Sequence, residues 1–202
     1  MTTTHTIETI THGRYLVERR GSQRLLVGFH GYGESAERHL EELRQLDPAE
    51  EWTLVAVQAL NRFYTRSQEV VASWMTREDR EHAIADNIEY VRRIVETLRP
   101  YDRLVFAGFS QGAAMAYRAA AAVGADGLII LAGDIPPDVE SMPVPVLIGR
   151  GERDDWYSDE KLKKDLRSAP NATVCVFDGG HEWNDEFREA GRAFLRRTRA
   201  EG

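Results

Sequence analysis

Ser110 sits in Gly108-Phe109-Ser110-Gln111-Gly112, a G-x-S-x-G pentapeptide between the apolar run Leu104 to Ala107 and an alanine-rich segment that opens at Ala113. This setting suits a nucleophilic hydroxyl. A strand that turns sharply into a helix lifts the serine Oγ clear of the strand end, and flanking glycines let the two elements approach without Cβ clashes. The helix start beneath the serine also favours developing negative charge. Chance supplies roughly 0.05 such matches in a chain of this glycine and serine content, so the pattern carries weight even without its context. The competing account is a tight glycine turn with an inert serine.

A serine hydroxyl is a weak nucleophile and needs a base, most often a histidine oriented by a carboxylate. Of the six histidines, His181 stands apart because Gly179-Gly180-His181 follows the last strand-like segment. His39 and His82 fall on helical segments among charged neighbours, where exposure is expected, and His5 and His12 lie near the start of the chain. His30 precedes the serine and reads as structural. Between Ser110 and His181, Gly151-Glu152-Arg153-Asp154-Asp155 places acids on a loop after a strand. Spacing leaves Asp154, Asp155 and the earlier Asp134 all open as the orienting acid. Two donors for an oxyanion are expected: the backbone N–H of Gln111, and that of Tyr32 in the glycine loop His30-Gly31-Tyr32-Gly33.

Such groups must be positioned by a scaffold, and the hydrophobic periodicity describes one. Strands are expected at Arg24 to Phe29, Thr53 to Val57, Arg103 to Ala107, Gly127 to Ala132, Val144 to Gly149 and Thr173 to Phe177. Helices are expected at Ala36 to Leu46, Asp79 to Leu98, Gln111 to Val123, Asp159 to Ser168 and Asn184 to about Arg197. Strands separated by helices imply crossover connections, hence an α/β fold with a mostly parallel sheet and helices on both faces. Thr6 to Ile10 and Arg14 to Arg19, flanking His12-Gly13, suggest an N-terminal antiparallel hairpin. One domain over residues 1–202 is expected. Only Gly133 to Pro143 separates two strands after the elbow helix, which leaves no room for a large cap. The longest irregular stretch, Gln58 to Glu78, is a functional candidate on length alone. Its Phe63, Tyr64 and Trp74 are candidates to wall a substrate pocket.

Composition narrows the partners. Thirty-three acids against 26 bases give a net charge of −7 in 202 residues, which argues against nucleic acid. The single Cys175 excludes an internal disulfide. No apolar run is long enough to span a bilayer, and Met1 to His5 lacks the basic and apolar regions of a signal peptide, so a cytoplasmic location is expected. No Walker lysine and no His/Cys pairing for a metal occur, and Gly149 to Asp154 lacks the third glycine of a dinucleotide fingerprint. Neither a cofactor nor a metal is expected.

The chain resembles the α/β-hydrolase superfamily, and within it the small carboxylesterase/phospholipase family that includes acyl-protein thioesterases. The likeness runs from His30-Gly31-Tyr32-Gly33-Glu34 through the Ser110 pentapeptide and Leu131-Ala132-Gly133 to Gly179-Gly180-His181. The order serine, acid, histidine is that of the superfamily. The family's G-x-x-D falls on Gly151 to Asp154, which the resemblance makes the acid, and Ser73-Trp74-Met75 is similar to a site-lining segment of relatives. What the resemblance implies is a small-molecule ester or thioester substrate of short to medium acyl length, cleaved through an acyl-enzyme on Ser110 without membrane insertion. Gln58-Ala59 stands where a proline is common and Tyr32 where leucine is frequent; both departures bear on acyl preference. The alternative from another class is a hydrolase-fold protein that binds a small ligand without turnover.

Overall fold

The computed structural model describes residues 1–200. In chain order its elements are β1 (Arg14–Glu18), β2 (Arg24–Phe29), α1 (Ala36–Leu46), β3 (Thr53–Gln58), β4 (Asn61–Tyr64), β5 (Val70–Ser73), α2 (Arg80–Thr97), β6 (Arg103–Phe109), α3 (Gln111–Val123), β7 (Gly127–Leu131), β8 (Val146–Gly151), α4 (Asp159–Ser168), β9 (Ala172–Phe177) and α5 (Asp185–Ala200). Seven strands form one sheet in the order β1-β3-β2-β6-β7-β8-β9. All its pairings are parallel except that of β1 with β3.

The strands read as continuous apolar runs because both faces of the sheet are covered. Leu104 and Phe106 of β6 point into a core with α2 and α3, while Val105, Ala107 and Phe109 point into a second core with α1 and α5. The same two-residue alternation divides Leu128 and Ile130 from Ile129 and Leu131 in β7. Local chemistry sets the helix starts: the Ser35 and Ser158 side chains accept from the N–H groups of Arg38 and Lys161, three residues on. The functional loops therefore leave a rigid sheet at its carboxyl edge.

The expected N-terminal hairpin does not form. Residues 6–10 are not a strand, and β1 instead adds to β3 with Tyr15 opposite Val57 and Val17 opposite Val55. A ribbon whose first arm carries only Ile7 and Ile10, both exposed, has no face to bury. The open edge of β3 offered β1 a row of unpaired backbone groups instead. The stretch Gln58 to Glu78 also differs from the expected irregular loop: β4 and β5 pair within it as an antiparallel hairpin, Phe63 opposite Val71.

His39 is buried, against expectation. It lies on the inner face of α1 with Ala36, Leu40 and Leu43, against Gly28, where a Cβ would come within 2.5 Å of the imidazole, and edge-on to Trp183 at 5.8 Å. Burial pushes its pKa from the usual 6.5 down to about 3, so it is neutral in the folded protein. The unfolded chain takes up this proton near pH 6.5 and the folded chain does not until about pH 3. The stability contributed is thus complete above the unfolded value and is lost as pH falls through that window, at up to about 1.4 kcal/mol per pH unit. Urea unfolding at a series of pH values should show wild type losing stability more steeply below neutrality than His39→Leu. Parallel slopes for the two proteins would reject this account.

Candidate active site

β6 ends and α3 begins at Ser110, whose backbone is held at φ 55° and ψ −117°. A positive φ at a non-glycine residue is strained and persists only where the surroundings over-determine it. Here the Ser110 N–H donates to the Leu131 carbonyl at 2.9 Å, and its own carbonyl accepts from the Ala113 N–H at 3.0 Å. The flanking glycines are required by contact: a Cβ on Gly108 would lie 2.4 Å from the Gly112 carbonyl oxygen, and one on Gly112 would lie 2.1 Å from that of Phe29.

Three of the predicted side chains meet at the sheet edge. Ser110 Oγ lies 2.7 Å from His181 Nε2, and His181 Nδ1 lies 3.0 and 3.1 Å from the two carboxylate oxygens of Asp154. Asp154 is buried, and its Oδ1 also accepts from the backbone N–H groups of Trp156 at 2.8 Å and Tyr157 at 2.9 Å. An ionised carboxylate only accepts, so the proton of the neutral imidazole belongs on Nδ1 and Nε2 is left to accept from the serine hydroxyl. The loops bearing acid and histidine are laced together: Glu152 N–H donates to the Phe177 carbonyl and Arg153 N–H to that of Gly179, both at 2.9 Å. Asp155 is exposed, and Asp134 faces Lys161 at 3.8 Å; neither bonds His181.

The two N–H groups expected to serve an oxyanion take no backbone acceptor among the described residues. Gln111 opens α3, so its N–H has no acceptor within the helix, and the Tyr32 N–H takes no backbone partner among the described residues. The loop around Tyr32 is anchored by His30, which is fully buried. Its Nε2 accepts from the Ala59 N–H at 3.1 Å, which leaves Nδ1 to donate to the Gly31 carbonyl at 2.7 Å; burial lowers its pKa and keeps it neutral. The Gln111 side chain fastens the elbow to the segment after β5. Its Oε1 accepts from Trp74 N–H at 2.8 Å and Ser73 Oγ at 3.2 Å, and its Nε2 donates to the Met75 carbonyl at 3.0 Å.

Trp74, expected to wall a pocket, is instead a core residue at 0% exposure. It packs edge-on to Phe29 at 5.4 Å and donates from Nε1 to the His30 carbonyl. A large apolar ring flanked by buried strands is more effectively used in the core than in water. Phe63 and Tyr64 are both exposed on β4 and neither lines the cleft; Phe63 reaches it only through Tyr32, whose ring lies 5.6 Å from its own. The cleft beside Ser110 holds about 400 Å³ and is lined by Gly31, Tyr32, Phe109, His181 and Trp183 together with a charged wall of Glu34, Arg38, Glu42, Glu182 and Arg188. None of that wall was expected from the sequence. Trp183 and Glu182 were within reach as neighbours of His181, but the Glu42–Arg188 ion pair, 2.8 Å long, joins residues far apart in the chain.

A family model described as serine hydrolase FSH1 matches residues 21–128, just over half of the chain, and this span contains Tyr32, Ser110 and Gln111. The chain belongs to the FSH1 serine hydrolase family. No curated protein matches the sequence of this family member. Among solved structures, esterase PE8 superposes with a TM-score of 0.75 at 20% identity, over 92% of this chain and 98% of that one. The Zea mays acyl-protein thioesterase 2 does so at 0.75 and 18%, over 93% and 99%. A carboxylesterase from Mesorhizobium loti gives 0.74 and 18%, over 91% and 94%. Together with the mostly parallel sheet, these likenesses establish the α/β-hydrolase fold, without a large cap between β7 and β8. No helix among the described residues is long and apolar enough to cross a membrane.

This FSH1-family hydrolase has one cysteine, Cys175, on the edge strand β9 and away from the cleft. Partial burial pushes its thiol pKa up, so little reactive thiolate forms near neutrality. Cys175→Ser should keep wild-type turnover, and a maleimide should not inhibit the wild type. Inhibition of the wild type but not of the variant would place the thiol in the chemistry.

Proposed function

We propose that this chain is a single-domain, cytoplasmic carboxylesterase that hydrolyses small oxygen esters or thioesters of short to medium acyl length. Ser110 Oγ attacks the carbonyl carbon while His181 Nε2 takes its proton, and Asp154 holds the imidazole and stabilises the imidazolium that forms. The carbonyl oxygen becomes an oxyanion facing the Tyr32 and Gln111 N–H groups. His181 returns the proton to the leaving alkoxide or thiolate, which departs and leaves an acyl group on Ser110. Water, deprotonated by the same nitrogen, releases the acid and restores the serine.

The observation that carries this reading is the unbroken relay of 2.7 Å from Ser110 Oγ to His181 and 3.0 Å from His181 to Asp154. The acyl-protein thioesterase and carboxylesterases among its structural likenesses favour the same chemistry. The limit on chain length is supported by the cleft lining: Phe109 and Trp183, whose rings lie 6.0 Å apart, are its apolar part, and the charged groups that share the lining would be left unhydrated beside a long alkyl chain. Initial rates on oxygen and thiol esters of increasing acyl length test the proposal. The expected result is turnover that peaks at short to medium chains and no activation at an oil–water interface. Absence of turnover across the panel would favour a ligand-binding role instead.

A further inference from the structure

The Tyr32 N–H can serve an oxyanion only if the peptide that carries it is held in one orientation. That peptide follows Gly31, which lacks a side chain to limit its two backbone torsions. A Cβ there would lie 3.0 Å from the Phe109 ring and 3.1 Å from Glu34 Oε2, so any side chain at this position would press on both neighbours. Orientation must therefore come from bonds to the two peptides on either side of Gly31. The carbonyl of the Gly31–Tyr32 peptide accepts from His30 Nδ1 at 2.7 Å, and across a trans peptide the Tyr32 N–H then points the opposite way. The N–H of the preceding peptide is bonded by a side chain: Glu34 Oε2 accepts from Gly31 N–H at 2.8 Å.

Glu34 is itself fixed. Its carbonyl accepts from Ala72 N–H, and Gly33 N–H donates to the Ala72 carbonyl, both at 3.0 Å, so the end of the loop is clamped to β5. Its other carboxylate oxygen lies 3.2 Å from Arg38 Nε, one turn along α1. The Glu34 side chain is only 13% exposed, which shields its bond to Gly31 from competing water. The same carboxylate lines the cleft beside Ser110 and His181.

Building on the serine-hydrolase reading, we propose that Glu34 is a positioning residue whose carboxylate, through Gly31, aims the Tyr32 N–H at the oxyanion. The acceptor, rather than the charge, does this. Glu34→Gln keeps an oxygen of the same reach, whereas Glu34→Met keeps the shape and offers no comparable acceptor. Turnover of a short-chain p-nitrophenyl ester, normalised to the sites titrated by an organophosphonate so that misfolded molecules are not counted, separates the two. The expected result is a kcat lowered about 10- to 100-fold in Glu34→Met with KM within about twofold of wild type, and a Glu34→Gln kcat within about threefold of wild type; loss of an oxyanion donor outright costs about 10²–10³. A Glu34→Met enzyme with wild-type kcat, a change confined to KM, or equal damage in both variants would overturn the proposal. A wild type that neither labels nor turns over would instead overturn the serine-hydrolase reading on which it rests.

Discussion

Asp154→Asn is expected to lower kcat by about 10⁴ while the protein stays folded. The reason lies in how Asp154 is held. The Trp156 and Tyr157 N–H groups both donate to Oδ1, so an asparagine must place its own oxygen there and turn its NH₂ toward His181. A donor then faces Nδ1, the imidazole proton moves to Nε2, and Nε2 can no longer accept from Ser110. Asp155→Asn, changing an exposed carboxylate that does not bond His181, should leave kcat near wild type. Steady-state kinetics on both variants, with circular dichroism as the folding check, measures the contrast. A damaging Asp155→Asn beside a harmless Asp154→Asn would move the acid by one residue.

Ser110→Ala is expected to cost still more, about 10⁶ in kcat, because the covalent route disappears and only binding and the oxyanion donors remain. The substitution also relieves nothing that the fold needs, since the elbow is held by backbone bonds to Leu131 and Ala113. Groups that act on one proton and one nucleophile do not contribute additively. Ser110→Ala combined with Asp154→Asn should therefore be hardly slower than Ser110→Ala alone. Independent losses that multiply in the double variant would show that the two residues serve different steps.

The helices were legible where their signals are local. Ala36–Leu46, Gln111–Val123 and Asp159–Ser168 keep the bounds expected from periodicity, and two of them start at the serine caps Ser35 and Ser158. Strand ends were less so. β8 begins at Val146 rather than Val144 because Pro145 has no N–H to donate to a ladder, and it runs on to Gly151 through pairing with β9. β4 and β5 leave little sequence signal because β4 is exposed along its length and the five-residue turn, Thr65 to Glu69, lacks an Asn-Gly or Asp-Gly pair. The charged sequence neighbours of His39 suggest exposure, but its spacing from Ala36 and Leu43 places it on the apolar face of α1, where it is buried.

The site shows the same division. Ser110 and His181 are nameable because a strained turn and a loop after a parallel strand leave short motifs, whereas only the resemblance to a family separates Asp154 from Asp155 and Asp134; Tyr32 and Gln111 are expected from the chemistry an oxyanion needs. The cleft walls left no such trace. Aromatic content does not reveal which way a ring points, so the sequence alone leaves Trp74 as apt for a wall as for the core, and the charged face arises where α1 meets α5 through Glu42 and Arg188. The roles of His30 and Glu34 depend on bonds to Ala59 and Gly31 that only the folded loop creates.

If Ser110 is the nucleophile, an electrophilic phosphonate should capture it covalently. Wild-type protein incubated with an alkyl p-nitrophenyl phosphonate, then weighed intact and mapped by peptide mass spectrometry, should gain one phosphonyl group, on Ser110, with loss of esterase activity in proportion. Ser110→Ala should gain none. A wild type that stays unmodified, or an adduct on any other residue that tracks the loss of activity, would contradict the account.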